Sequence, residues 1–292
     1  MLSRLLSTLV LWTVILGGLY VFGPHAAVVL VAGLAALTLH EFYAITAKMG
    51  FRAFRWMGLG CGVLMTAGAY YLAYYSEGPE AMGPVSTGLL VLAFIVCCIR
   101  VLGERDPTSR IETIAATMAG LFCVPFMLQF LLRLLLLVQA DAEGGFVLCP
   151  PVDPGLVLCL WVVTVSKFCD VGALLTGLAF GQHKLAPLIS PKKTWEGAVG
   201  GVLVSAGVGA AIAHFAASRL PEMLTPLVAA AIAVPLAVVT IVSDLMESAL
   251  KRRADVKDTG ALIPGIGGAF DLTDSLLLTA PVAYFIFFFF AE

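Results

Sequence analysis

Residues 243–274 read SDLMESALKRRADVKDTGALIPGIGGAFDLTD and hold six carboxylates, four cations and four glycines in a chain that is otherwise strongly apolar. Asp244 and Glu247 are three positions apart, as are Asp271 and Asp274. Residues three apart on helical backbone lie on one face. A basic cluster and a Pro-Gly-rich turn separate the two pairs. The sequence therefore predicts a polar site here, to which two helices each bring an acidic pair.

The composition places this stretch in a membrane protein. Hydrophobic residues make up 60% of the 292 positions and charged residues 12%, with a mean hydropathy of +1.00, values outside the range of soluble domains. Runs close to the ~20 apolar residues that a bilayer requires occur at 5–22, 26–47, 56–75, 84–102, 113–139, 155–180, 197–217, 224–247 and 271–291. We expect an all-α integral membrane protein with about nine transmembrane helices.

These runs divide into two predicted domains. Helices 1–5 occupy residues 1–139, and Pro125 in the fifth predicts a kink there. Helices 6–9 occupy residues 155–292 and form the predicted catalytic domain, with loops at 181–196 and 248–270.

The seven cysteines show no CxxC motif and no zinc-ligand spacing, and no basic tail indicates a nucleic-acid partner.

The basic residues predict the orientation. Fifteen of the 17 cations are assigned to alternate connections, and only Arg219 and Arg133 to the other side. Cytoplasmic loops carry the excess of Lys and Arg in membrane proteins. With nine spans, the N-terminus is then cytoplasmic and the C-terminus outside. The fifteen are Arg4, Lys48, Arg52, Arg55, Arg100, Arg105, Arg110, Lys167, Lys184, Lys192, Lys193, Lys251, Arg252, Arg253 and Lys257.

The same topology brings the unusual polar residues to one face of the membrane. Asp170 lies in the second half of the sixth run, the segment SPKKTWEG at 190–197 opens the seventh, and the two acidic pairs close the eighth run and open the ninth. Ionisable residues at such positions are costly and usually face a wet cavity, pair with one another or bind ions. We expect these groups to meet at the cytoplasmic face.

Clustered carboxylates need a counter-charge, and oxygen ligands suit Mg²⁺, which binds through one or two carboxylates together with substrate phosphates. The turn at 264–268 and the helix start that follows it offer backbone N–H groups to a phosphate. Lysines and arginines nearby would balance further phosphate charge. Each feature also has a structural explanation, as a topology determinant, a turn or a helix cap. None of these explains two acidic pairs that flank a basic, glycine-rich loop.

Residues 248–274, SALKRRADVKDTGALIPGIGGAFDLTD, resemble the C-terminal signature of the phosphatidate cytidylyltransferases, or CDP-diacylglycerol synthases. SDLMES at 243–248 and the stretch from CDVGA to SPKKTWEG at 169–197 resemble that family's other conserved blocks. The resemblance covers roughly the last 125 residues, and the first half agrees only in its run of spans. The signature positions that match are Ser248, Lys251, Arg252, Lys257, Asp258, Gly260, Pro264, Gly267, Gly268, Asp271 and Asp274.

The resemblance implies a multi-span, usually dimeric enzyme of a bacterial inner membrane that joins CTP and phosphatidic acid into CDP-diacylglycerol and pyrophosphate at the cytoplasmic face. It implies Mg²⁺, with a monovalent cation such as K⁺ as a second ion. Asp244 and Asp271 would be the main metal ligands, with Glu247, Asp274 and Asp170 as weaker candidates. The implied catalytic residues are Asp244, Asp271, Asp274, Lys251 and Lys257. The implied substrate-binding residues are Ser190, Lys192, Lys193, Thr194, Glu196, Ser248, Arg252, Asp258, Gly265, Gly267 and Gly268.

Two positions depart from the family pattern. Ile266 stands where the family has His, and Leu272 stands where it has Arg. Either these groups are not required, with Arg253 supplying the charge, or the substrate has changed or activity is lost. A related CTP-dependent lipid enzyme, such as a polyprenol or phytol kinase or a CDP-archaeol-type synthase, is therefore an alternative. A transporter ranks last, because the outer halves of the spans carry almost no charge.

Overall fold

The computed structural model describes residues 13, 17–77, 81–103, 110–137, 154–256, 259–260 and 267–291. Almost all of this part of the chain is helical. The α-helices are α1 (Pro24–Lys48), α2 (Arg55–Val63), α3 (Ala69–Leu72), α4 (Met82–Leu102), α5 (Arg110–Leu121), α6 (Met127–Leu137), α7 (Pro154–Phe180), α8 (Trp195–Phe215), α9 (Pro226–Arg253) and α10 (Ala269–Ala291). A short hairpin, β1 (Lys184–Ala186) and β2 (Ser190–Thr194), precedes α8.

The all-α membrane architecture is confirmed. Seven helices within the described ranges are long and apolar enough to cross a bilayer: 24–48, 82–102, 110–137, 154–180, 195–215, 226–253 and 269–290. Helical backbone also runs through 55–77, where the third span is predicted. Most of the first predicted span, 5–22, lies outside the described residues. The count of nine and the orientation stay predictions.

Pro125 lies where the regular helix is interrupted. The span 110–137 contains a π-helical turn at Phe122–Phe126, between α5 and α6. Proline has no N–H to donate and its ring clashes with the preceding turn, so a widened turn accommodates it without ending the helix. The run 55–77 contains two further π-helical turns, at Leu64–Gly68 and Ala73–Glu77.

One helix extends beyond its predicted apolar run: α9 continues past Glu247 through the basic cluster to Arg253. Helix α7 ends at Phe180, as predicted, and contains both Lys167 and Asp170. Lys167 therefore lies inside α7, and its assignment to a connection between spans was wrong. The hydropathy pattern hides such residues because a single charge does not end a helix whose other faces are apolar.

The chain forms two compact units. Unit 1 comprises residues 1–133 and 253–273, and unit 2 comprises residues 134–252 and 274–292. The predicted division into functional domains at 1–139 and 155–292 stays a prediction. In unit 1, Tyr43 packs where Gly58 and Gly120 leave room for its ring, and its hydroxyl donates to the carbonyl oxygen of Thr117 at 2.9 Å.

Helices α7 and α8 of unit 2 pack closely through small residues. Every fourth residue of α8 is small and buried: Gly197, Gly201, Ser205, Gly209 and Ala213. A Cβ on Gly201 would lie 2.7 Å from the carbonyl oxygen of Cys169 on α7. The Trp161 indole also donates to the Gly209 carbonyl at 3.0 Å. Small-residue stripes let helix backbones approach closely in membranes. This contact fixes the polar residues of α7 against the start of α8.

Candidate active site

The SPKKTWEG segment forms strand β2 and the first turn of α8. Strand β2 pairs antiparallel with β1, with Lys184 opposite Thr194 and Ala186 opposite Ser190. Thr194 is the N-cap of α8, and its hydroxyl accepts the Gly197 N–H at 3.2 Å. Adjacent strand residues point to opposite sides. Lys193 is accordingly half-buried while Lys192 is exposed, so the hairpin directs one lysine inward and one outward.

Glu196 holds the hairpin against α8. Its carboxylate accepts the backbone N–H groups of Gln182 at 3.1 Å and His183 at 3.2 Å, and it contacts the His183 imidazole at 2.5 Å. The Trp195 N–H donates to the carbonyl oxygen of His183 at 2.9 Å. Glu196 therefore has a structural role in positioning Lys192 and Lys193.

Three carboxylates of unit 2 converge. Asp244 and Glu247 on α9 and Asp274 on α10 each place one oxygen so that all three lie within 4.8 Å of one another. The prediction that Asp244 and Glu247 share a helix face is confirmed. We call Asp244, Glu247 and Asp274 the acidic cluster.

Each acid of the acidic cluster pairs with a different lysine. Lys193 from β2 forms an ion pair with Asp244, Lys251 contacts Glu247 at 2.6 Å, and Lys167 from α7 lies 3.5 Å from Asp274. Lys167 also donates to the Ser275 hydroxyl at 2.6 Å. Removing charges from water is costly unless they are paired. The three lysines supply that pairing in this structure.

Asp170 lies beside this cluster. It is one helical turn from Lys167 on α7, and it interacts electrostatically with Lys167, Lys193, Asp244 and Asp274. Four acids therefore meet three lysines in unit 2. A hard divalent cation prefers carboxylate oxygens. The donor set and the oxygen spacing of the acidic cluster fit such an ion.

The glycine-rich turn before α10 belongs to unit 1. Gly267 has a φ of +119°, a left-handed conformation that favours glycine. The Gly268 N–H donates to Asp271 at 2.7 Å, and the N–H groups of Ala269 and Phe270 donate to Glu41 at 3.0 and 2.9 Å. The sequence predicts that the N–H groups at this helix start face a phosphate. In the structure, carboxylates of the chain itself accept three of them.

Asp271 is the third residue of α10 and bonds back to the residue before the helix. This is the acidic half of a capping box. A helix-capping role is thus visible for Asp271, and its role as a main metal ligand stays a prediction. The acidic cluster contains Asp244 together with Asp274 and does not contain Asp271. Asp274 is one of the weaker metal-ligand candidates that the resemblance implies.

Other predicted site residues are distributed over the two units. Ser190, Ser248 and Arg252 belong to unit 2, where the Arg252 side chain donates to the carbonyl oxygen of Ile189 at 3.3 Å and links α9 to the hairpin. Lys257, Asp258, Gly265 and the departing residue Ile266 lie outside the described residues. Leu272, the other departure, is half-buried on α10.

Two polar residues that contact the acidic cluster or the turn before α10 were not predicted from the sequence. Lys167 contacts the acidic cluster, and Glu41 contacts the turn before α10. A signal for both was available, because each is an ionisable residue inside an apolar run of membrane-spanning length.

Together these features define a class: an all-α membrane protein in which carboxylates of two spanning helices pair with lysines of two helices and of a short hairpin. Comparison of the whole chain refines this class. The cytidylyltransferase family model matches residues 2–290, and the chain belongs to this family.

Several relatives carry a more specific name. The chain is 39% identical over 142 residues to the phosphatidate cytidylyltransferase of Haemophilus influenzae, which covers 47% of this chain and 48% of the relative. It is 30% identical over 184 residues to that of Mycobacterium bovis, with 63% and 54% covered. It is 34% identical over 201 residues to that of Rickettsia bellii, with 68% and 80% covered. The matches span about half the length of the first two relatives.

Proposed function

We propose that the protein is a phosphatidate cytidylyltransferase, which joins CTP and phosphatidic acid into CDP-diacylglycerol and pyrophosphate. The convergence of Asp244, Glu247 and Asp274, each beside its own lysine, is the observation that carries this proposal. Relatives of the same family bear this name. A site for two phosphate-bearing substrates needs both kinds of charge, acids for metal and cations for phosphate.

The acidic cluster would hold Mg²⁺ through one oxygen of each acid, with K⁺ as the second cation. A bound Mg²⁺ would neutralise phosphate charge and orient the triphosphate. Glu247 is suited to the ligand set because its side chain is only 3% exposed and is fixed by Lys251 on the same helix. Lys167 and Lys193 approach the cluster from other elements and hold Asp274 and Asp244 in place.

In the proposed reaction, a phosphate oxygen of phosphatidic acid attacks the α-phosphorus of CTP. The new P–O bond forms as the bond between the α-phosphorus and the bridging oxygen to the β-phosphate breaks, and pyrophosphate leaves with that electron pair. Such a displacement needs in-line positioning and charge neutralisation more than a covalent residue. Lys192 and Lys193 on the hairpin and Lys251 on α9 would bind phosphate oxygens.

The setting of this reaction is part of the proposal. The substrate lipid lies in the membrane leaflet and CTP comes from water, so the site would face the cytoplasm of a bacterial inner membrane. The protein would act as a homodimer, as the resemblance implies.

Product analysis tests the proposal directly. The purified protein is incubated with CTP, Mg²⁺ and either phosphatidic acid, a polyprenol, phytol or an archaeal-type lipid phosphate. We expect CDP-diacylglycerol and pyrophosphate from phosphatidic acid. CDP together with a lipid phosphate would identify a kinase instead, and no product from any lipid would identify an inactive homologue.

Substitution of Asp244 and Asp274 tests the site. Asp244→Asn and Asp274→Asn keep the size of the side chains but remove their charge, and each should lower kcat about 100-fold or more, since one electrostatic contact to the reacting groups is worth that much. The control Glu222→Gln removes an exposed carboxylate of unit 2 and should have wild-type activity. Retained activity in both Asn variants would rule out the acidic cluster as the site.

A further inference from the structure

Glu41 is a half-buried acid inside the span α1 that contacts the turn before α10. Its carboxylate accepts three hydrogen bonds, from the N–H groups of Ala269 and Phe270 and from the hydroxyl of Thr259 at 2.9 Å. Two of these donors are backbone groups at the start of a helix, where the helix dipole favours an anion. Glu41 thus caps α10 from a position 228 residues earlier in the chain.

Two glycines, Gly260 and Gly268, leave the space that Glu41 occupies. A Cβ on Gly260 would collide with Glu41 Oε1, and a Cβ on Gly268 would collide with both Glu41 oxygens and with the Thr259 hydroxyl. The close approach of a side chain is one of the reasons for glycine at a fixed position. These two glycines therefore admit the Glu41 carboxylate.

Thr259 connects Glu41 to Asp271. Its hydroxyl oxygen lies 2.9 Å from Glu41 Oε2 and 3.0 Å from Asp271 Oδ2, so one hydroxyl proton is shared between two carboxylates. Asp271 Oδ2 also accepts the Gly268 N–H. The orientation of the Asp271 carboxylate is consequently coupled to the position of Glu41.

We infer that Glu41 is a positioning residue for the reaction: it fixes the turn before α10 and, through Thr259, the carboxylate of Asp271. The inference rests on the proposed function for its catalytic consequence, because Asp271 is one of the acids implied in that reaction. In this inference Glu41 acts through the turn and Thr259 and does not bind a substrate. Its removal should therefore alter turnover more than substrate affinity.

Steady-state kinetics test this consequence. Glu41→Gln retains the shape but loses an anionic acceptor of three hydrogen bonds, and we expect kcat per folded molecule to fall about tenfold or more with KM for CTP within about threefold of wild type. Thr259→Val should lower kcat similarly, whereas Thr259→Ser keeps the hydroxyl and should restore it. Glu112→Gln, at an exposed carboxylate of unit 1, is the matched control and should leave kcat unchanged.

A double-mutant cycle tests the contact itself without any assay of activity. Gly260→Ala should lower the melting temperature of the detergent-solubilised protein in the wild-type background, because its Cβ meets Glu41. In the Glu41→Ala background the same change should cost less than half as much, since the colliding carboxylate is gone.

The outcomes separate the inference from the proposed function. Equal effects of Gly260→Ala in both backgrounds would overturn the contact, and a wild-type kcat in Glu41→Gln would overturn the positioning role. If the wild-type protein makes no CDP-diacylglycerol, the proposed function fails while the cycle still decides whether Glu41 holds the turn.

Discussion

Lys167 is a cation in the middle of a membrane span, the fourteenth of the 27 residues of α7. Its Nζ lies 3.5 Å from Asp274 and 2.6 Å from the Ser275 hydroxyl, and the side chains of Lys167 and Asp274 are 31% and 14% exposed. Removing one partner of a fully buried ion pair costs about 3–5 kcal/mol, and partial exposure reduces that cost. Lys167→Met should therefore lower the free energy of unfolding by about 1–3 kcal/mol, observed as a lower melting temperature in detergent.

Two further variants check the cause of that loss. Lys48→Met removes an exposed lysine in the last turn of α1 and should leave the melting temperature unchanged. Lys167→Met combined with Asp274→Asn removes both charges of the pair and should be more stable than Lys167→Met alone, because Asp274 is no longer left as a charge without Lys167. A double variant that is less stable than the single one would mean that Lys167 does not stabilise the protein through Asp274.

At the scale of residues, the sequence predicts some members of the acidic cluster and not the residues that they or the turn before α10 contact. Asp244 and Glu247 were predicted together because helical spacing alone puts them on one face. Glu41 was not predicted, because its partners Ala269 and Phe270 are more than 200 positions away and no local rule links them. The lysine partners were also hidden, since the sequence shows that a lysine is present but not which acid it contacts.

At the scale of elements, the stripe of small residues on α8 determines how closely it packs against α7. A Cβ on Gly201 would lie 2.7 Å from the Cys169 carbonyl oxygen and 3.0 Å from the Ala173 Cβ, whereas nothing lies within 4 Å of a Cβ on Gly207. Gly201→Ala should destabilise by about 1–3 kcal/mol because it overpacks this contact. Gly207→Ala on the same helix should be neutral or stabilising by up to ~1 kcal/mol, from helix propensity. Melting temperatures of the two variants provide the comparison, and equal values would contradict close packing at Gly201.

Hydropathy predicts the positions of the spans, but it does not predict every helix end or the hairpin. The bilayer fixes the length of a span, so the apolar runs located the seven described spans correctly. The end of α9 was missed at Glu247 because polar residues there face other protein groups while the helix continues to Arg253. The hairpin at 184–194 has no apolar signal, and its strands became visible only in the structure.

At the scale of the whole molecule, the predicted orientation can be tested by labelling. Leu188 in the hairpin turn is 95% exposed, and Ser218 lies in the connection between α8 and α9. In a background with Cys149→Ser, we expect a membrane-impermeant maleimide to label Ser218→Cys in intact cells, and Leu188→Cys only after the cells are opened. This follows from the excess of cations on the hairpin side. Labelling of Leu188→Cys in intact cells would reverse the predicted orientation.

The pairing of Lys167 with acids also bears on how the helices enter the membrane during synthesis. One charged residue at the centre of an inserting helix costs about 2.5–3.5 kcal/mol. Helix α7 carries Lys167 and Asp170 one turn apart, and α9 carries Glu247 and Lys251 one turn apart, so each brings its own counter-charge into the lipid. Helix α10 contains acids but no lysine or arginine, and the partner of its Asp274 is on α7. The stable insertion of α10 therefore depends on α7, which is synthesised earlier and provides the counter-ion.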